Sequence, residues 1–218
     1  MKHNLIASGM DLFNKCPYAY HYYKTIKSEY SGQACNGIKK HGLIANAIKT
    51  GECDDSVKQV YDWVKPLLTG YVLVESKVSY NEIFDVDPNQ AYGYADLITF
   101  SNETKELNVI DFKFGDYPVN VENNTQLLLY AYGALKQFDA EIVNIHIAQP
   151  SQQELKSQQF TKQDFLNVID KKFSKNAKKF KTFFELSDLS VLNQNTGSHC
   201  SFCRGCDICE ANSNLLVL

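Results

Sequence analysis

Apolar and polar residues change their spacing several times along this chain. From Ser8, in N-cap position, "MDLFNKCPYAYHYYK" carries helical spacing, with Pro17 marking a kink or restart. "NGIKKHGLIANAIKTG" predicts a second helix that stops at Gly51, and "DDSVKQVYDWVKPLL" a third. The period then shortens. "YVLVESKVSY", "YGYADLITF" and "ELNVIDFKF" predict three successive strands separated by turn residues. "ENNTQLLLYAYGALKQF" returns to helical spacing, and "EIVNIHIAQP" predicts a fourth strand. Leu166, Ile169, Phe173, Ala177, Phe180 and Phe184 form the stripe of one long helix from about Lys162 to Phe184. The pattern predicts an α/β domain: a mixed central sheet, helices packed around it and a cysteine-bearing tail. It shows no internal repeat and no dividing linker.

Two of the predicted strands carry charge inside apolar runs. In "LNVIDFKFGD", alternation sends Val109, Asp111 and Lys113 to one face and Ile110, Phe112 and Phe114 to the other, so one face is core and the other holds an ion pair. In "YGYADLITF", Tyr92, Tyr94, Asp96 and Ile98 share a face. Two inward carboxylates on neighbouring strands repel unless a cation lies between them. Oxygen ligands suit Mg²⁺ or Mn²⁺, and a lysine beside the metal can position water or stabilise charge on a phosphate. The plain alternative is an Asp111–Lys113 pair on a solvated edge strand.

The 218 residues, 44% of them hydrophobic and 12% aromatic, suffice for one sizeable domain and argue against wholesale disorder. A net charge of −3 means that any nucleic-acid surface must be a local basic patch. The N-terminal stretch lacks the features of a signal peptide, and no apolar run is long enough to span a bilayer, so a cytoplasmic location without membrane contact is expected. Of seven cysteines, Cys200, Cys203, Cys206 and Cys209 crowd into "HCSFCRGCDICE", while Cys16, Cys35 and Cys53 lie apart. In a reducing compartment such a cluster points to a metal site rather than to disulfides. Cys35 and Cys53 are expected to be buried as small apolar residues.

Gly93 with Asp96, Asp111 with Lys113, and Gln126 with Tyr130 form an ordered set: G-x-x-D on one strand, D-x-K on the next, Q-x-x-x-Y on the following helix. The set resembles the RecB-like branch of the PD-(D/E)XK nuclease superfamily. The resemblance implies a restriction-endonuclease-like core that hydrolyses DNA with Mg²⁺ or Mn²⁺. The implied catalytic residues are Asp96, Asp111, Lys113, Gln126 and Tyr130. Metal ligands would be His41, Asp96, Asp111 and the backbone carbonyl of Phe112, with Glu75 as a further candidate. His41 otherwise reads as a helix-surface histidine, and where some relatives have a glutamate this chain has Ala45.

The C-x₂-C-x₂-C-x₂-C run is too compressed for a zinc ribbon and shares its spacing with bacterial ferredoxins. RecB-like nucleases with an iron–sulfur cluster, among them the CRISPR-associated exonucleases, hold it with one cysteine before the core and C-x₂-C-x₅-C after it. By that resemblance Cys16, Cys200, Cys203 and Cys209 bind a [4Fe–4S] cluster that staples the chain ends together, with Cys206 as the alternative fourth ligand. The segments implied within the single domain are 1–70 (helical, with Cys16 and His41), 71–150 (nuclease core), 151–199 (helical) and 200–218 (cluster tail).

Lys171, Lys172, Lys175, Lys178, Lys179 and Lys181 surround the apolar stripe of the long helix, as a solvated face or as a surface that tracks DNA phosphates. Tyr18, Tyr20, Tyr22 and Tyr23 offer either base stacking or packing. The expected function is that of a metal-dependent DNA exonuclease. DNA, single-stranded or with duplex ends, is the expected partner, in a bacterial, archaeal or phage-infected cell, alongside proteins of CRISPR adaptation or recombination. Competing readings are a non-catalytic DNA-end-binding or adaptor module on the same fold and a zinc-stabilised scaffold.

Overall fold

A computed structural model of the chain describes residues 4–27, 32–174, 177–186, 188 and 191–213. Its centre is a six-stranded mixed sheet: β1 (Leu5–Ile6), β2 (Tyr71–Ser79), β3 (Ala91–Ser101), β4 (Glu106–Phe112), β5 (Ile142–Gln149) and β6 (Glu154–Thr161). β2 runs antiparallel along one edge of β3, from Tyr71↔Phe100 to Ser79↔Tyr92. The other edge is divided. β1 pairs parallel with Ala91 and Tyr92, and β4 pairs antiparallel from Ser101 only as far as Leu97↔Ile110. Positions 93–96 of β3 therefore lie between two partners, and β4 diverges there to continue parallel to β5. β6 closes the far side, antiparallel to β5.

Helices cover both faces: α1 (Met10–Lys15), α2 (Pro17–Thr25), α3 (Gly32–Thr50), α4 (Lys58–Val64), α5 (Thr125–Leu135), α6 (Lys162–Phe173), α7 (Ala177–Glu185) and the short α8 (Glu210–Ser213). Asn124 caps α5 by accepting from Leu127 N, and that helix buries Leu127, Leu128, Leu129, Tyr130 and Ala131. The larger core joins these to Val109, Ile145, Phe13, Phe165 and Phe180. A smaller core on the opposite face packs Ile44, Val60 and Val64 of α3 and α4 against Leu97, Ile110 and Phe112. α3 ends as expected at Gly51, whose φ of +81° suits glycine and whose N–H returns to the Ala47 carbonyl.

Several expectations need correction. β4 is buried on both faces, because helices lie on each side of it, which sets aside the alternative of an ion pair on a solvated edge strand. Tyr92, Tyr94 and Ile98 do not share a face. Ala91, Ala95, Ile98 and Phe100 all join the larger core, and Leu97 joins the smaller one, so alternation shifts by one residue at Asp96. Glu75, opposite Asp96 between the Val74↔Leu97 and Ser76↔Ala95 pairs, absorbs the shift with a left-handed φ of +51°. Of the expected long helix, the described residues give α6 and α7, with 175–176 outside them; Phe173 and Phe180 both reach the ring of Phe84. Gly9, not Ser8, occupies the N-cap position of α1, since Ala7–Gly9 form a 3₁₀ turn. Cys35 is exposed and Cys53 only half-buried. β1 and β6 were not expected. No helix among the described residues is long and apolar enough to cross a membrane.

Candidate metal centre and cysteine pocket

Where β3 and β4 part, side chains take the place of the ladder. Asp96 Oδ2 accepts from Phe112 N at 2.7 Å, the backbone donor that continued pairing would have engaged otherwise. Its other oxygen lies 3.5 Å from His41 Nδ1, delivered by α3. One ligand atom each from His41, Glu75 and Asp96 fall within 4.8 Å of one another, a carboxylate–imidazole set that could hold a divalent cation. The His41 ring is steadied by Phe114, with centroids 5.2 Å apart. Phe112, whose carbonyl is the expected ligand, also gives the site its N–H.

Asp111 completes the site from β4 and is only 3% exposed. Its Oδ1 accepts from Gln126 Nε2 at 2.9 Å; its Oδ2 lies 2.8 Å from Lys113 Nζ, an ion-pair contact without a well-aligned hydrogen bond. Gln126 also accepts from Lys113 Nζ at 3.2 Å and donates to the Tyr130 hydroxyl at 3.1 Å. The amide thus joins acid, lysine and tyrosine in one network. All the side chains singled out around the strand opening are gathered there: His41, Glu75 and Asp96 on one side, Asp111, Lys113, Gln126 and Tyr130 on the other.

Burial and mutual repulsion set the charges. Burial pushes the Asp111 carboxyl up to about 6, against the pull of Lys113. Glu75 is raised by burial and by Asp96. For His41, burial opposes the charge, but Asp96, Asp111 and Glu75 outweigh it and raise the imidazole. Crowded carboxylates that resist ionisation mark a place short of positive charge. A buried acid oxygen with no aligned donor is the kind of atom a cation satisfies.

The second cluster joins the chain ends. Cys16 separates α1 from α2 in an extended conformation, and its sulfur accepts from Ala19 N at 3.4 Å and Asn195 N at 3.3 Å. Cys16, Cys200, Cys203, Cys206 and Cys209 line one small pocket with Tyr22 and His199. Burial pushes the Cys203 thiol up, and the neighbouring Cys16, Cys209 and Cys200 add to it. Cys206 donates to Asp207 Oδ1 at 3.5 Å, and Cys209 to Gln194 Oε1 at 3.7 Å. Arg204, which sequence reading passed over, ties the tail to α2: Nη1 donates to the Tyr23 and Ile26 carbonyls at 2.7 and 3.0 Å, and the guanidinium stacks 4.3 Å from the Tyr23 centroid. A half-buried arginine contact to carbonyls three residues apart leaves no periodic signal in the sequence.

Residues 52–217 match the model of the family described as "Protein of unknown function (DUF2800)". The chain belongs to the DUF2800 family. The matched stretch contains the strand carboxylates and all four tail cysteines, and begins after Cys16 and His41. Among solved structures, this DUF2800 chain is similar to the crystal structure of SSO0001, at 15% identity and a TM-score of 0.46, over 97% of this chain and 88% of that one.

The remaining candidates of the DUF2800 chain divide. Lys171 is exposed, whereas Lys172 is half-buried and donates to the Asn123 carbonyl, holding α6 to the loop before α5. Lys175 lies outside the described residues, as do the side chains of Lys178, Lys179 and Lys181. Tyr20 and Tyr22 are buried, so their role is packing rather than stacking on bases. Tyr20 donates to the Asn4 carbonyl, and Tyr22 lies against Gly205 in the tail.

Proposed function

We propose that this chain is a metal-dependent DNA exonuclease on a RecB-like PD-(D/E)XK core, with a [4Fe–4S] cluster held by Cys16, Cys200, Cys203 and Cys209. The observation that carries the reading is the strand opening, where Asp96, Asp111 and Lys113 meet beside His41 and Glu75. The donor set fits a hard divalent cation: carboxylate oxygens, one imidazole and an Asp111 oxygen without an aligned donor. Bound there, Mg²⁺ or Mn²⁺ supplies a polarised phosphate oxygen and a more acidic water. The protein's own groups do the positioning. Lys113 presents a cation held by Asp111 and Gln126, suited to charge that develops on phosphate. Tyr130 and Gln126 fix the direction of Asp111.

For the second cluster, the convergence of the cysteines on one pocket and the tying of residues 193–204 to α1 and α2 support a cofactor that joins the chain ends. The influence of Cys16, Cys200 and Cys209 on the Cys203 thiol supports Cys209 as fourth ligand.

The test is degradation of end-labelled single- and double-stranded DNA with Mn²⁺, wild type against Asp111→Ala. Shortening from the ends by wild type alone is expected. Full activity in Asp111→Ala overturns the site, and DNA binding without cleavage by wild type assigns an end-binding module instead.

A further inference from the structure

The sheet face that α3 covers near Asp96 continues past it as an aromatic strip, which among the described residues is half-buried at Tyr92 and exposed at Tyr94. Gly93 faces the Tyr130 ring on α5, so its neighbours Tyr92 and Tyr94 emerge on the opposite face. Tyr94 is 54% exposed, and its ring stands at 83° to that of Tyr92 with centroids 6.2 Å apart. Lys77, across from Tyr94 on β2, lies 4.4 Å from the Tyr92 centroid. At the other end Asn4 Nδ2 donates to the Tyr92 hydroxyl, and Lys24 Nζ donates to Asn4 Oδ1. Tyr94 stands two residues from Asp96, about 7 Å along the strand.

One exposed tyrosine is ordinary surface. Here two rings and two ammonium groups share a strip that ends at a carboxylate of the candidate metal centre. Rings of this kind offer a π-face to any base, and ammonium groups attract the phosphates between bases. Inside a duplex the base faces are stacked on one another, so a strand whose successive bases lie on both rings must be unpaired. The geometry points to the Tyr92–Tyr94 strip, with Lys77 and Lys24, as the seat of unpaired nucleotides of a single DNA strand beside the cleavage site. The inference rests on the nuclease reading for its substrate class, and adds that the strand reaches Asp96 already unpaired.

Binding can be separated from cleavage by working in EDTA. A short fluorescein-labelled oligothymidine is titrated with the full-length protein, with the blunt duplex of the same length as comparison. Wild type is expected to favour the single strand, Tyr94→Ala to weaken it about tenfold and Tyr94→Phe to leave it unchanged. Lys77→Gln should flatten the dependence of log affinity on log salt by about 0.7. Equal affinity of wild type and Tyr94→Ala, or wild-type preference for the blunt duplex, overturns the proposal. Failure of wild type to cut DNA with Mn²⁺ would overturn the nuclease reading while leaving this measurement intact. Circular dichroism of each variant excludes misfolding as the cause of weaker binding.

Discussion

The ring of Tyr130 lies so close to the backbone of Gly93 that a Cβ there would overlap Tyr130 Cε1. Tyr130 in turn accepts from Gln126, which holds Asp111 and Lys113, so the absence of a side chain on β3 sets the position of an acid on β4. Gly93→Ala should therefore destabilise the protein by about 1–3 kcal/mol, because the ring has a packed helix behind it. In a Tyr130→Ala background the same change should cost less than half as much. Denaturant unfolding of the four proteins measures the coupling. Additive costs would mean that Gly93 answers to something other than the ring.

Asp111 is a carboxylate whose burial works against the fold. Its folded value, about 6, lies above the ordinary 3.8, so ionising it costs the fold stability at neutral pH, and the protein regains that stability as pH falls from about 6 to 3.8. Asp111→Asn should raise the metal-free melting temperature by about 2–6 °C. Calorimetry in EDTA checks this, and a lowered midpoint would show that the Lys113 pair outweighs desolvation.

A cation at the opening reverses the comparison. Mn²⁺ at about a hundredfold excess over its Kd should stabilise wild type by about 2.7 kcal/mol, and should give less than a third of that in Asp96→Asn or His41→Ala. Equal stabilisation of all three would place the metal elsewhere.

Five cysteines line the pocket, one more than a four-ligand cluster needs, so substitution decides which four serve. Cys16→Ser, Cys200→Ser, Cys203→Ser and Cys209→Ser should each lose bound iron and the brown colour, while Cys206→Ser keeps both. Iron analysis and the visible spectrum after anaerobic purification decide it. Loss of colour in Cys206→Ser with retention in Cys209→Ser exchanges their roles, and zinc in place of iron removes the cluster.

Much of this was legible in the sequence for one physical reason: a charge inside an apolar strand is conspicuous. Asp96 and Asp111 were found that way, and helical spacing placed Gln126 beside Tyr130. What was missed lacks such contrast. β6 has only Leu155 and Phe160 as apolar residues in "ELKSQQFT", so an edge strand reads as loop. The shift of alternation at Glu75 is carried by a residue with no left-handed preference, and strict parity then puts Tyr94 and Ile98 on one face. β1 is two residues long, below any periodic signal.

His146, on β5 opposite Ile110, supplies a second pH dependence. It is 6% exposed on β5, with Nδ1 2.7 Å from Ser157 Oγ and Nε2 3.2 Å from Asn108 Oδ1. The neutral ring with its proton on Nε2 satisfies both contacts, donating to the amide oxygen and accepting from the hydroxyl. Asn108 is fixed by its own donation to Thr99 and by Asn144, an arrangement that presents the Asn108 amide oxygen to the Nε2 proton. Burial lowers the folded value from 6.5 to about 4. The unfolded chain therefore takes up a proton first as pH falls, and the contribution of the neutral ring, complete above 6.5, is lost progressively toward 4. The loss amounts to about 3 kcal/mol. His146→Gln, which cannot titrate, should be less stable than wild type at neutral pH, and the gap should close by about that amount on acidification. Urea unfolding of both proteins across this range isolates the term, since other titrating groups such as Asp111 are common to the pair. A gap that stays constant with pH would mean that His146 titrates alike in the folded and unfolded chains.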